Sequence, residues 1–200
     1  CNDFSAPDRV WMNDGHGKFQ LLSALALRNT SRFSMGIDFA DIDRDGHDDF
    51  VVMDMLSRDH ERRMVQMGEP PLGRELGDDL LQRPQFSRNT MYRNRGDGTY
   101  SEVAYMAGTH AAEWAWTPIF VDVDLDGFED LLVTNGHERD ALNVEVRTQI
   151  EKQIQDPKLS RNDILLLSSL YQRLATPNVA FRNRGDFTFE DVSEAWGFAK

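Results

Sequence analysis

The sequence predicts an all-β fold, namely a partial β-propeller whose four-stranded antiparallel blades are interrupted by helical insertions. Three observations support this prediction. An Asp-rich motif occurs twice, a hairpin-like motif occurs three times, and the first and second copies of both motifs are separated by the same 81 residues. Two unlike motifs that share one offset indicate a true internal repeat.

The length of the repeat follows from aligning the two motifs. FADIDRDGHDDFVV at 39–52 matches FVDVDLDGFEDLLV at 120–133, and WMNDGHGKF at 11–19 matches YRNRGDGTY at 92–100 and FRNRGDFTF at 181–189. The distance from the hairpin-like motif to the Asp-rich motif is constant, but the distance onward to the next hairpin varies. Insertions of 29 and 37 residues explain the variation and leave a unit of about 52 residues.

Each unit has the character of short β-strands. GIDFA and DFVVMDM, on either side of the first Asp-rich motif, carry β-branched and aromatic residues. MYRN and TYSEVAY flank Arg95-Gly96-Asp97-Gly98, which suits a tight hairpin turn. About four strands in a unit of this length favour a propeller blade. A β-solenoid is the alternative, although most β-solenoid repeats are shorter.

The alignment also predicts how the chain is divided. Repeat units are expected at about 1–55, 89–136 and 179–200, with helical insertions at about 57–88 and 138–176. Cys1 falls where Met53 and Thr134 fall, late in a strand. The 200 residues are therefore expected to be a fragment of one propeller, whose remainder lies beyond both termini and packs against it.

The two insertions have a helical rather than a β pattern. Residues 58–67 are predicted to form a short charged helix, and 69–79 a loop. Residues 140–155 place Leu142, Val146, Ile150 and Ile154 on one apolar stripe, and Pro157 ends that pattern. Asn162 or Asp163 is expected to cap a second helix. The helices are predicted to cover one rim of the β-structure, and a dimer interface is the alternative role.

Composition excludes several function classes. Acidic residues outnumber basic ones 34 to 22, which gives a net charge of −12 and makes nucleic acid an unsuitable partner. No apolar run, including the four residues 164–167, approaches the roughly 20 residues that span a bilayer. Cys1 is the single cysteine, so an internal disulfide and a multi-cysteine metal site are both excluded.

The Asp-rich motifs carry the chemistry. Counted from Asp41 and from Asp122, carboxylates occupy positions 1, 3, 5 and 9, and glycine occupies position 6. Alternate residues of a tightly curled loop can all point inward, and Ca²⁺ takes six to eight oxygen ligands. An EF-hand is excluded because position 12 is Val52 or Val133 instead of Glu, and because the flanking segments are strand-like.

The charge of each loop also favours a bound cation. Four unpaired carboxylates within nine residues would repel each other strongly unless a cation neutralised them. Mg²⁺ fits less well than Ca²⁺ because it prefers few protein ligands and retains water. Two Ca²⁺ sites are therefore predicted.

These loops, together with YRNRGDGTYSEV and FRNRGDFTFEDV, resemble FG-GAP/VCBS repeats, the blades of integrin-α-type β-propellers, and the chain is similar to the ASPIC/UnbV and cartilage-acidic-protein group. The resemblance covers the β part of the chain and not the insertions. It implies ten calcium ligands, of which His47 and Phe128 use their carbonyl oxygens: Asp41, Asp43, Asp45, His47 and Asp49 in one loop, and Asp122, Asp124, Asp126, Phe128 and Asp130 in the other.

The expected function is that of a non-catalytic binding or adhesion scaffold for a protein or glycan ligand. No nucleophile elbow, P-loop, zinc-protease motif or dinucleotide fingerprint is present. A loop that lacks the twelfth-position Glu fits millimolar calcium, which points to a secreted, periplasmic or cell-surface location. The alternative is the propeller domain of a carbohydrate-active enzyme or lectin.

Overall fold

The computed structural model describes residues 1–2, 6–66, 83–155 and 160–199. The fold is mostly β, with 32% strand and 18% helix, and its sheet curls into a half-barrel. The strands are β1 (Trp11–Asn13), β2 (Phe19–Leu21), β3 (Thr30–Ser31), β4 (Ile37–Ala40), β5 (Asp49–Val52), β6 (Met55–Leu56), β7 (Gln85–Phe86), β8 (Thr90–Asn94), β9 (Tyr100–Glu102), β10 (Glu113–Val121), β11 (Asp130–Asn135), β12 (Val179–Asn183) and β13 (Phe189–Asp191). The helices are α1 (His60–Val65), α2 (Ala104–Ala107), α3 (Val144–Ile154) and α4 (Arg161–Leu167).

Two sheets repeat one strand order. The first has the order β4-β5-β8-β9, and the second has β10-β11-β12-β13 with β6 added beside β10. All pairs in both sheets are antiparallel. β1 and β2 form a separate antiparallel pair, while β3 and β7 pair in parallel. The two equivalent sheets agree with the sequence repeat: β5 begins 81 residues before β11, and β8 begins 89 residues before β12.

The main core lies between the two sheets. Val51 and Met91 from the first sheet meet Leu131 and Val179 from the second, and all four are fully buried. The opposite face of β5 is also covered, because its Phe50 packs in a second cluster around Leu27 and Tyr92. Successive side chains of a strand point to opposite faces, so β5 is buried along its whole length.

A left-handed phenylalanine joins the last hairpin to this core. Phe187 stands where Gly98 stands in the preceding unit, and it has φ +66°. A side chain in that region strains the backbone, typically by about 1–2 kcal/mol. Phe187 is nonetheless buried in the main core and lies under the Arg93 guanidinium at 5.4 Å. Its burial offsets the strain.

Both insertions begin at the ends of the strands that lie opposite the Asp-rich loops. The first follows β5 and includes α1, which matches the predicted short helix but spans only His60–Val65. The predicted loop at 69–79 and the break at Pro157 lie outside the described residues. None of the helices that the structure describes is long and apolar enough to cross a bilayer.

The second insertion differs from the prediction in its caps. α3 begins at Val144, because the Asn143 side chain accepts hydrogen bonds from the backbone N–H groups of Glu145 and Val146. Leu142 of the predicted stripe therefore precedes the helix and is buried in a cluster of its own with Phe33 and Met55. The predicted cap of α4, Asn162 or Asp163, is wrong. Ser160 is the cap, and the Asp163 carboxylate completes a capping box with it.

The arrangement of the core predicts the effect of truncating Leu131. Leu131→Ala should lower the free energy of unfolding by about 2–5 kcal/mol, because a fully buried side chain leaves a cavity between the two sheets. Leu25→Ala removes the same atoms from a side chain that is 75% exposed and should change stability by less than about 0.5 kcal/mol. Urea unfolding of both variants measures the difference, and equal losses would contradict this description of the core.

Candidate metal centre

The two Asp-rich loops share one backbone conformation. Residues 41–48 connect β4 to β5, and residues 122–129 connect β10 to β11. Gly46 and Gly127, at loop position 6, have φ of +86° and +96°, where glycine avoids the strain of a side chain. Position 4 is also left-handed, although Arg44 and Leu125 stand there with φ of 61° and 62°. The sequence does not predict this second left-handed residue.

The first carboxylate of each loop produces the curl. The two oxygens of Asp41 accept the backbone N–H groups of Asp45 and Gly46, both at 2.9 Å. The two oxygens of Asp122 accept the same donors in the second loop, from Asp126 at 3.1 Å and Gly127 at 3.0 Å. The first position of each loop therefore has a definite structural role.

Each loop gathers three carboxylates at one point. In the first loop Asp41, Asp43 and Asp49 each offer an oxygen, and these oxygens lie within 4.8 Å of one another. In the second loop the same holds for one oxygen each of Asp122, Asp124 and Asp126. Two clusters of hard oxygen donors are thus present that could hold a metal ion.

The remaining predicted ligands lie in the same loops but outside these groups of three. Asp45 and Asp130 are the acidic ones. At position 7 the side chains cover the next hairpin: a Cβ on Gly96 would lie 2.6 Å from His47 Nε2, and one on Gly185 would lie 3.1 Å from Phe128 Cζ. The side chains of His47 and Phe128 therefore pack against the next hairpin, and their carbonyl groups remain predicted ligands.

The ninth carboxylate joins each loop to the hairpin that follows. Asp49 accepts the backbone N–H of Ile42 at 3.1 Å with one oxygen and that of Asn94 at 2.7 Å with the other. Asp130 does the same with Val123 at 2.9 Å and Asn183 at 2.9 Å. Both carboxylates are fully buried. Loop and hairpin are therefore held in one fixed relation in both units.

Burial makes these two carboxyl groups harder to ionise. Desolvation raises the pKa of Asp49 to about 6, while the hydrogen bonds from Asn94 and Ile42 lower it and the charges of Asp43 and Asp45 raise it. Desolvation likewise raises the pKa of Asp130, against the hydrogen bonds from Asn183 and Val123. The ionised carboxylate is less favourable at these two positions than in water.

The prediction that the loop carboxylates are unpaired is wrong. Arg93 on β8 pairs with Asp43 at 2.6 Å and lies 3.8 Å from Asp45. Arg182 on β12 pairs with Asp124 at 2.7 Å and with Asp126 at 3.3 Å. Each loop has five carboxylates, against Arg93 and Arg44 in the first and Arg182 in the second, so both loops keep a net negative charge. The repulsion is reduced and not removed.

The sequence contained a signal for these arginines. Each occupies the second position of the hairpin motif, in YRNRGDGTY and in FRNRGDFTF, which are the two hairpins that follow an Asp-rich loop of this chain. Met12 occupies that position in the first hairpin. The difference was visible in the alignment.

A single amide links the two loops. Asn183 is buried, and its side-chain nitrogen donates to the carbonyl of Ile42 at 3.0 Å and to the carbonyl of Glu129 at 3.1 Å. Arg44 of the first loop also pairs with Glu129 of the second at 3.3 Å. The two loops are therefore joined through the Asn183 amide and one ion pair.

A comparison with protein families agrees with this geometry. The model of the FG-GAP-like repeat family matches residues 1–52 and 78–133, which is more than half of the chain. The chain belongs to the FG-GAP-like repeat family. Both Asp-rich loops lie within the matched ranges, so the repeats described above are FG-GAP-like repeats. A search of curated proteins returns no match.

The role of the ninth carboxylate predicts that Asp49→Ala is destabilising. Its removal leaves the buried Ile42 N–H and the half-buried Asn94 N–H without an acceptor, which should lower the free energy of unfolding by about 1–3 kcal/mol. Asp48→Ala is the matched control, since it removes the same charge from the adjacent exposed position. Urea unfolding in the presence of EDTA separates this effect from metal binding, and a control that loses as much would contradict it.

The link between the loops predicts that two asparagines at equivalent hairpin positions, Asn183 and Asn94, contribute differently to stability. Asn183→Ala should lower the free energy of unfolding by about 1–3 kcal/mol, because the buried Ile42 carbonyl and the half-buried Glu129 carbonyl lose their donor. Asn94→Ala should cost less, because the Asn94 amide is only half-buried and donates to the Asp48 carbonyl at 3.2 Å within its own sheet. Thermal unfolding of both variants tests the order, and the reverse order would show that Asn183 does not join the units.

Proposed function

We propose that this FG-GAP-like chain is a calcium-binding module with two Ca²⁺ sites, one in each Asp-rich loop. The observation that carries the proposal is the pair of carboxylate clusters, built by the same backbone conformation in both units. Carboxylate oxygens are the donors that Ca²⁺ prefers, and the chain provides no sulfur ligand in these loops. The donor set therefore suits a hard divalent cation.

Two further features of the loops support a cation. Asp43 has one oxygen, Oδ1, that is buried and accepts no hydrogen bond from the described residues. The other oxygen of Asp43 is the one that Arg93 contacts. A buried oxygen with unused acceptor capacity is costly unless something donates to it or coordinates it. The net negative charge of each loop gives a cation a further electrostatic gain.

Bound Ca²⁺ would neutralise each loop and add its binding free energy to the stability of the fold. Hydrogen bonds between the loops and other segments would extend this stabilisation beyond each loop. Asp49 and Asp130 connect the loops to the next hairpins, and Asn183 connects the loops to each other. We infer that occupancy fixes the orientation of neighbouring sheets.

We propose further that the two repeated sheets are blades of a partial β-propeller. The strand orders β4-β5-β8-β9 and β10-β11-β12-β13 are those of four-stranded antiparallel blades that pack face to face. Both insertions leave at the edge opposite the loops, and this supports their role as a covering of one rim. Further blades would pack against this pair.

The proposed role of the module is non-catalytic binding or adhesion outside the cytoplasm, with a protein or glycan as ligand. Exposed aromatic side chains support a binding surface: Trp11 is 53% exposed, Phe19 62% and Phe39 53%. The best-placed carboxylates are occupied by the candidate metal sites, which favours this reading over a carbohydrate-active enzyme. A loop without a twelfth-position Glu suits the millimolar calcium of the extracellular space.

The two-site proposal predicts the calcium stoichiometry. Isothermal titration calorimetry should detect two bound Ca²⁺ ions per unaltered chain. It should detect one ion for Asp43→Ala, one for Asp124→Ala, and none for the double variant. Calcium should also raise the melting temperature, with a gain of about 2.7 kcal/mol per site at a hundredfold excess over Kd. EDTA should reverse the gain.

Asp48→Ala is the control for this titration, because it removes an exposed acidic side chain of the first loop that belongs to neither cluster. It should retain two ions. Unchanged stoichiometry in the double variant would refute the assignment. An equal loss for Asp48→Ala would show that calcium follows the overall charge of the loop and not the cluster.

A further inference from the structure

A cavity lies away from the Asp-rich loops, at the edge of the sheets where the insertions begin. Its volume is about 420 Å³, which is within the usual range for small-molecule sites. The floor is apolar and consists of Phe33, Met55 and Leu142, which pack together as a separate buried cluster. The cavity is independent of the proposed calcium sites, with which it shares no lining residue.

One wall of the cavity is aromatic. The Arg88 guanidinium lies 5.4 Å from the ring centre of Phe86 and 4.7 Å from that of Tyr105. Arg88 is already neutralised, because it donates to Glu102 at 2.6 Å. The half-buried Phe86 ring and the exposed Tyr105 ring therefore line the cavity without adding a free charge.

The cavity lining also includes a cation, Arg63, for which the described residues provide no anionic partner. Arg63 on α1 donates from Nε to the Ser57 carbonyl at 2.9 Å. No carboxylate of the described residues lies within 4.0 Å of its guanidinium. The nearby Glu113 is paired instead with Arg62 at 2.8 Å, and Asp140 faces Arg62 at 3.8 Å.

The charged groups that act on His110, beside the cavity, are mostly positive. Burial lowers the pKa of His110, and the charges of Arg63 and Arg88 lower it further, against the opposing effect of Glu102. His110 stacks on Tyr105 at 4.4 Å, so it lies beside the aromatic wall. The Arg63 and Arg88 guanidinium groups are thus close enough to His110 to disfavour its protonated form.

We propose that this cavity binds a small aromatic carboxylate, with its ring on the apolar floor and its carboxylate at the Arg63 guanidinium. A planar guanidinium matches a carboxylate with two parallel hydrogen bonds, which gives both affinity and orientation. The apolar floor and the aromatic wall accept a flat ring by burial and by offset or edge-on packing. A neutral aromatic ligand would gain only the ring packing and not the hydrogen bonds to Arg63.

Two probes that differ only in charge test this proposal. Indole-3-acetate and indole-3-acetamide are titrated separately into the whole chain and followed by calorimetry. The acetate should bind about tenfold more tightly or better, since charge-assisted hydrogen bonds are the stronger kind. Equal affinities in the unaltered chain, or no binding of either probe at millimolar concentration, would overturn the proposal without any mutation.

Variants of α1 then locate the anion contact. Arg63→Gln should abolish the preference for the acetate, and Arg63→Lys should keep part of it because the charge remains. Met64→Gln is the control, since Met64 is the next residue, is 72% exposed and does not line the cavity. Each variant is checked for an unchanged melting temperature. A preference that persists in folded Arg63→Gln would place the anion elsewhere and refute the assignment.

Discussion

Two buried carboxylates hold the repeated units in shape. Asp49 and Asp130 each accept two backbone N–H groups, one from their own loop and one from the next hairpin. A buried charge is tolerated only when it is hydrogen-bonded in this way, so loop and hairpin must form together. The curl set by Asp41 and Asp122, the contact of Arg93 and Arg182, and the link through Asn183 all depend on that fixed relation.

The loop carboxylates have structural contacts as well as the proposed role in ion binding. Which structural contact a carboxylate makes depends on its position in the loop. The first and ninth carboxylates accept hydrogen bonds from backbone N–H groups. The third and fifth face an arginine of the neighbouring strand. The loops consequently have a defined conformation in which negative charge is only partly compensated.

The sequence was sufficient for the repeat, the antiparallel hairpins and the position of the acidic clusters. These follow from motif copies at one offset and from the spacing of Asp41, Asp43 and Asp49, which are local patterns. It was insufficient where the decisive contact is distant along the chain. Asn183 meets Ile42 across 141 residues, and Arg93 reaches a loop that is about 50 residues away. The predicted cap of α4 was wrong for another reason. Ser160, Asn162 and Asp163 are all suitable cap residues, and only the capping box decides among them.

Helix α1 differs in character from the sheets that it adjoins. None of its residues is buried, and polar contacts hold it in place: Arg62 pairs with Glu113, and the Gln66 side chain accepts from the N–H of Ser57 and donates to the carbonyl of Met55. Such a segment opens locally at a free energy well below that of global unfolding. Its amide protons should therefore exchange with deuterium sooner than those of β5, and raised ionic strength should hasten that exchange by screening the Arg62 pair.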